Sequence, residues 1–282
     1  MSREIIISTV SFHLPSRKET LESNLERAHE YVKEAIKRKS DICCLPEIFT
    51  VFGVEDYTKA LSESVSRTNS ILDGFSKVAA EGKIYLIINI PEKEGDFIYN
   101  TAFFLDRNGE LVGKYRKTHL APGEEEKIRE GDTYPVFKTD FGSIGIMICM
   151  DIHFPEVSRI YGLKNVDILF WPTMSYGPSD DFLLTLLRSK AMDNQYYCVA
   201  SNYSEIPYLP GKEMGRACVV APDGNIITDT GYRPGIATIE VDLDEGYEYW
   251  ASGDYKKKYP RLKECFYKRR KPETYGELVK IN

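Results

Sequence analysis

Short, almost wholly apolar runs alternate along this chain with stretches of helical amphipathic periodicity. The apolar runs Glu4–Phe12, Asp41–Leu45, Ile84–Asn89, Gly142–Ile148, Ile168–Phe170 and Tyr197–Ser201 read as strands. Between them, Lys18–Arg38 carries Leu21, Leu25, Ala28, Val32, Ala35 and Ile36 on one helical face, and Thr68–Glu81 does the same with Ile71, Leu72, Phe75, Val78 and Ala79 before its stop at Gly82. Pro155–Tyr161 is a helix with proline in its first turn and Gly162 after its end, and Asp180–Asp193 is another, with Asp180 as its cap. Hairpins are signalled where Arg107-Asn108-Gly109 separates Tyr99–Asp106 from Glu110–Tyr115, and where Pro222-Asp223-Gly224 separates Arg216–Ala221 from Asn225–Asp229; Gly235–Val241 is a further strand. Strand–helix alternation with added hairpins predicts an α/β layered domain with a mixed sheet. There is no linker, low-complexity tract or fixed-period repeat, so one domain over residues 1–282 is expected, its mixed, aromatic C-terminal segment from about 243 serving as an extension.

Charge and cysteine usage narrow the function classes. The net charge is −6, from 37 basic and 43 acidic residues, which argues against nucleic acid as the main partner. The basic runs Lys256–Lys258 and Lys268–Lys271 read as solvated surface, and the aromatic segment from Tyr247 to Trp250 through Phe266-Tyr267 as packing or a partner surface. Six cysteines occur with no Cys-x-x-Cys, four of them inside apolar runs, as in a reduced intracellular protein. Met1-Ser-Arg-Glu-Ile-Ile-Ile does not read as a signal peptide, and no window approaches ~20 apolar residues, so a cytoplasmic location off the membrane is expected.

Three chemically able side chains follow strand-like runs. Glu47 follows Asp41-Ile-Cys-Cys-Leu-Pro46, Lys117 follows Glu110–Tyr115, and Cys149 closes Gly142–Ile148. Strand ends are where open α/β sheets present ligand-binding groups. Each has a plain reading by itself: a small buried hydrophobe for Cys149, a helix cap for Glu47, a solvated basic cluster for Lys117. Together, a base, a cation and a thiol make a nucleophilic site. A free thiol has little thiolate at neutral pH, so a carboxylate in a desolvated pocket must take its proton. An ammonium and the backbone N–H of Met150 would then hold the oxyanion.

The same residues resemble the carbon–nitrogen hydrolases of the nitrilase superfamily. The similarity runs in order through Asp41–Glu47, Tyr99–Ala102 with Gly109–Leu120, Ile144–Glu156, Arg188–Gln195, Val220–Gly224 and Arg270–Tyr275. It implies an α-β-β-α sandwich that pairs with a second copy, and hydrolysis of a linear, non-peptide amide through a cysteine thioester, with no cofactor and no metal. It also implies a second glutamate after the lysine; among Glu124, Glu125 and Glu126, spacing from Gly131-Asp132 selects Glu124. The substrate loop is expected in Trp171–Gly177, with Trp171, Thr173, Tyr176 and Met150 as substrate contacts and a packed core aromatic as the other reading of Trp171. The substrate expected is a small amide, ω-amide or N-carbamoyl amine. Met150-Asp151 resembles the amidase and carbamoylase branches rather than the Trp-Glu of nitrile-hydrolysing members. The sequence departs from the family at His153, where many members have Arg, at Ile128-Arg129, and in the first strand, which lacks a Gln. The alternatives are nitrile hydrolysis at the same site, a redox-sensing thiol, and a Cys–His enzyme using His119. The four histidines show no metal-ligand spacing, and Gly142 and Gly145 lie inside a strand rather than in a nucleotide-binding turn.

Overall fold

The computed structural model describes residues 3–176, 179–204, 215–245, 249–250, 258–259 and 262–280. Gly177 of the expected substrate loop, Lys256 and Lys257 of the basic run, and Tyr247 and Glu248 of the aromatic segment lie outside the described residues. The chain divides into two compact units, Met1–Leu243 and Asp244–Asn282.

In the first unit the elements run β1 (Glu4–Phe12), α1 (Leu21–Lys37), β2 (Ile42–Cys44), α2 (Tyr57–Ser66), α3 (Thr68–Gly82), β3 (Tyr85–Glu94), β4 (Phe97–Leu105), β5 (Leu111–Arg116), β6 (Phe137–Lys138), β7 (Ser143–Ile146), α4 (Pro155–Leu163), β8 (Ile168–Pro172), α5 (Asp180–Asn194), β9 (Tyr197–Tyr203), β10 (Cys218–Val220), β11 (Ile226–Asp229) and β12 (Gly235–Asp242). The second unit holds a short pair, β13 (Tyr249–Trp250) with β14 (Lys258–Tyr259), and α6 (Leu262–Lys268).

Among the described residues, twelve strands form two halves. One is ordered β12-β1-β2-β3-β4-β5, the other β11-β10-β9-β8-β7-β6. They join where β1 meets β9 in parallel, Ser11 opposite Asn202 and Phe12 opposite Tyr203. β1, β2 and β3 are mutually parallel, as are β7, β8 and β9, and β4 and β12 run antiparallel to their neighbours. The mixed α/β sheet expected from the sequence is therefore present.

The period-2 alternation of strands sorts side chains into layers. Ile5, Ile7, Cys44, Ile87 and Phe104 of the first half meet Ile144, Ile146, Ile168, Phe170, Tyr197 and Val199 of the second in one buried cluster. Their neighbours point outward. Val10, Phe12, Cys43, Leu45, Leu86 and Ile88 pack under α1 and α3, against Leu21, Ala28, Val32, Ile71, Phe75 and Ala79. Met147, Leu169, Cys198 and Ala200 pack under α4 and α5, against Val157, Tyr161, Leu187 and Ala191. The result is the expected α-β-β-α sandwich, in which adjacent Cys43 and Cys44 face different layers.

Several details differ from the sequence reading: the short β6, β13, β14 and α6 are additional to it, and two helices depart from it. The helix α2 was not expected; Asp56 caps it by accepting the Lys59 N–H at 3.0 Å. At α5 the cap position falls on Ser179, not Asp180, and makes no side-chain capping bond. Among the described residues no helix is long and apolar enough to cross a membrane.

Candidate active site

The parallel strands deliver their C-terminal ends to one edge. Glu47 lies just after β2, Lys117 after β5, Cys149 after β7 and Ser175 after β8. Strand β5 reaches that edge because it runs antiparallel to β4, which itself runs antiparallel to β3.

Glu47 and Lys117 are 2% and 1% exposed. Lys117 Nζ donates to Glu47 Oε1 at 3.0 Å and to Glu124 Oε2 at 2.7 Å. An ammonium has three N–H bonds, so one remains for a further acceptor. Glu47 is tethered at both oxygens: Asn100 Nδ2 donates to Oε1 at 2.8 Å and the Met174 N–H to Oε2 at 2.9 Å. Asn100 is in turn held by Asn89 Nδ2 at 2.9 Å, and the Glu47 carbonyl accepts from Tyr203 Oη at 2.6 Å. Burial would pull Lys117 below the ordinary lysine value, but the charges of Glu47, Cys149 and Glu124 outweigh it and hold the ammonium above that value. Of the three adjacent glutamates, Glu124 is the one that reaches Lys117; its Oε2 also accepts the Ala121 N–H at 2.7 Å. Glu125 and Glu126 are exposed.

Cys149 opens a tight 3-10 turn, Cys149–His153, with φ +45°, a region that side chains other than glycine avoid. Asp151 holds that turn in place. It is fully buried and accepts from the Ile148 N–H at 2.8 Å and Tyr115 Oη at 2.6 Å on one oxygen. Thr118 Oγ1 and the His119 N–H donate to the other, both at 3.0 Å. Asp151 thus ties the segment after Lys117 to the cysteine turn. Trp171 adds a bond from behind, Nε1 to the Cys149 carbonyl at 2.9 Å. The thiol lies 3.6 Å from Ser175 Oγ. Burial, aided by the Glu47 carboxylate, pushes the thiol up to about 12, against the opposing pull of Lys117 and Ser175. At neutral pH the sulfur therefore carries its proton, and attack requires a base.

The residues expected to touch substrate are spread around this centre. Met150 is half-buried, and among the described residues its N–H makes no backbone hydrogen bond. Thr173 is fully buried beside Ser175, and Tyr176 is 47% exposed. Trp171 is 2% exposed and packs in the cluster under α4 and α5. His119 has its Nδ1 2.9 Å from Asp151 and its ring stacked on Phe154 at 3.7 Å. Asn100, Ser175 and Asn202 were not singled out from the sequence, and Asp151 was read only as part of the Met150-Asp151 pair, not as the anchor of the turn. The one available signal was a polar residue inside a strand, Asn100 in Phe97–Leu105 and Asn202 at the end of β9.

Comparison with known proteins agrees with this geometry. The family model described as carbon-nitrogen hydrolase matches residues 10–250. The chain is 32% identical over 234 residues to "Omega-amidase NIT2" of Xenopus tropicalis, covering 78% of this chain and 83% of that one. It is 28% identical over 266 residues to "Probable nitrilase C965.09" of Schizosaccharomyces pombe, covering 91% and 92%. Among solved structures, Saccharomyces cerevisiae Nit3, a member of branch 10 of the nitrilase superfamily, superposes with a TM-score of 0.75 at 26% identity, over 85% of this chain and 90% of that one. An amidase from Nesterenkonia sp. shares the fold with a TM-score of 0.78 at 20% identity, over 98% and 96%.

Proposed function

The chain belongs to the carbon–nitrogen hydrolase family and hydrolyses linear amides, and from there we propose that Cys149, Glu47, Lys117 and Glu124 carry the reaction through a thioester. The observation that carries this reading is the buried Glu47–Lys117 pair, extended by the part-buried Glu124 and set beside a half-buried thiol. Glu47 takes the thiol proton as sulfur attacks the amide carbon. The oxyanion is held by the third N–H of Lys117 and the N–H of Met150. Glu47 returns the proton to the departing ammonia or amine, leaving an acyl thioester on Cys149. Water then attacks, again giving its proton to Glu47, and the acid leaves as the thiol re-forms. Glu124 acts through Lys117, fixing its direction.

The ω-amidase relatives support a short ω-amide of a dicarboxylic acid as substrate, with simple amides and N-carbamoyl amines as the comparison set. The test is hydrolysis by wild type, Cys149→Ala and Cys149→Ser. Wild type releases ammonia from the ω-amide, and both variants lose nearly all turnover; an Ala variant within a few-fold of wild type would refute the thiol mechanism. Nitrile hydrolysis on matched carbon skeletons is expected to be slower than amide hydrolysis, since the two donors face an oxyanion. Exposed Leu163 on α4 and Phe182 and Met192 on α5 support a second copy of this chain as the partner, giving a homodimer or an assembly of dimers; light scattering at the 32.3 kDa monomer mass would exclude it. Six cysteines with no disulfide support a cytoplasmic location.

A further inference from the structure

The loop after β8 carries more than the N–H that holds Glu47. Ser175 is clamped at both backbone ends by Asn202: Oδ1 accepts the Ser175 N–H at 3.2 Å, and Nδ2 donates to the Ser175 carbonyl at 3.0 Å. Asn202 is itself buried and bonded onward to Gly215 O at 3.0 Å and the Tyr203 N–H at 2.9 Å. The Ser175 side chain is therefore aimed by a rigid frame at two partners, the Cys149 sulfur and the Thr173 hydroxyl.

The direction of the hydroxyl protons follows from what else is available. Thr173 is fully buried, and among the described residues its hydroxyl has Ser175 Oγ as its sole hydrogen-bond partner. A buried hydroxyl donor left unused is costly. Thr173 therefore donates to Ser175, and the Ser175 proton is left to point at sulfur. The row reads Thr173 O–H to Ser175 O–H to Cys149 Sγ, each donor polarised by the one before it.

We propose that Ser175 is a further catalytic residue, whose hydroxyl donates to the Cys149 sulfur when that sulfur carries negative charge. This rests on the reading of Cys149 as the nucleophile. In the attack, the S–H bond breaks, its proton passes to Glu47, and the S–C bond forms; Ser175 gives up no proton. A thioester sulfur is a poor acceptor, so the bond slackens in the acyl enzyme. It tightens again when water has added and sulfur departs with the bonding pair, before Glu47 returns the proton. The hydroxyl thus favours charged over neutral sulfur at both chemical steps.

The experiment compares wild type, Ser175→Ala, Ser175→Thr and Thr173→Val in two assays. One is the pH dependence of Cys149 alkylation by iodoacetamide without substrate, read by peptide mapping. The other is steady-state amide hydrolysis. Hydrogen bonds to charged groups predict a roughly 10–100-fold slower alkylation of Ser175→Ala at a given pH, its profile displaced to higher pH, and a similar loss in kcat with KM within a few-fold. Ser175→Thr should retain most of both rates, and Thr173→Val should fall between. An alkylation profile for Ser175→Ala that overlays wild type overturns the proposal, even if kcat falls, because loop shape would then explain the loss. Failure of the parent reading looks different: Cys149→Ala would retain turnover, or wild-type Cys149 would not be the preferred site of alkylation.

Discussion

Replacing Lys117 by Met separates the charge balance of the site from its chemistry. The substitution keeps length and apolar stem but deletes the cation between Glu47 and Glu124. The three side chains are 0%, 3% and 24% exposed for Lys117, Glu47 and Glu124. Glu124 retains water on one side, so the penalty falls chiefly on Glu47, whose carboxylate stays buried with Asn100 and the Met174 N–H but no counter-charge. Breaking a buried pair in this way costs about 3–5 kcal/mol. For a domain of this size that lowers Tm by roughly 6–20 °C. Activity should fall by about 10²–10³-fold or more in kcat, since an oxyanion donor is lost as well.

The companion variant Glu47→Gln/Lys117→Met removes the stranded charge. It should recover part of the lost Tm by differential scanning calorimetry, since the Gln NH2 still faces the donor of Asn100 or of Met174, and none of the activity. The sign of the pH dependence is also fixed. Lys117 is held above the ordinary lysine value, so its stabilisation is fully present below that value and is lost only as pH rises through the higher folded one. The Tm gap between wild type and Lys117→Met should therefore not narrow as pH rises from about pH 6 to about pH 9. A single variant melting within about 2 °C of wild type, or a double variant no more stable than the single, would refute the reasoning.

Asp151→Asn places an amide where four donors converge; we expect a loss of about 2–4 kcal/mol in urea unfolding and a fall in kcat larger than any change in KM, because the left-handed turn at Cys149 loses its anchor. Gly145→Ala would put a methyl 2.6 Å from the Tyr161 ring, whose hydroxyl bonds Ile146 O, so a loss of about 1–3 kcal/mol should appear in the same assay. Burial raises Cys43 and Cys218 to about 12, and raises Cys44 and Cys198 as well, so these thiols stay protonated in the fold while the unfolded chain ionises. Their stabilisation is present below the unfolded value and is lost above it, at roughly 5 kcal/mol per pH unit beyond about pH 9, and circular dichroism should show cooperative alkaline unfolding by about pH 11.

What the sequence made legible follows the range of the forces involved. β1 has the bounds read from its apolar run, Glu4–Phe12, because burial on both faces leaves a signal within nine residues. The strand-end positions of Glu47, Lys117 and Cys149 were readable for the same reason. Helix α2 was missed because only Ala60, Leu61 and Ser64 of its ten residues are buried, and a serine on the buried face breaks the periodic pattern. The roles of Asn100, Asp151, Ser175 and Asn202 were not readable because the partners that define them lie far along the chain: Asn100 meets Glu47 across 53 positions, Asp151 meets Tyr115 across 36, and Ser175 meets Cys149 across 26. No local spacing encodes such contacts.

Those long-range contacts also explain how a strained turn and a buried charge row coexist at one sheet edge. The strain at Cys149 is opposed by bonds from three sides: Asp151 within the turn, Trp171 from β8, and Tyr115 and Thr118 through Asp151. The charges are offset from the same elements, with Lys117 following β5 and the Met174 N–H following β8. Strands β5 and β8 therefore each contribute to both halves of the site. A shift of either strand would loosen the sulfur and the base together, so their spacing is set by the sheet rather than by the loops. On this view the two short connections after β5 and β8 can vary in length only outside Lys117–His119 and Thr173–Ser175, where every residue but Met174 uses its side chain to hold a group at the reacting edge.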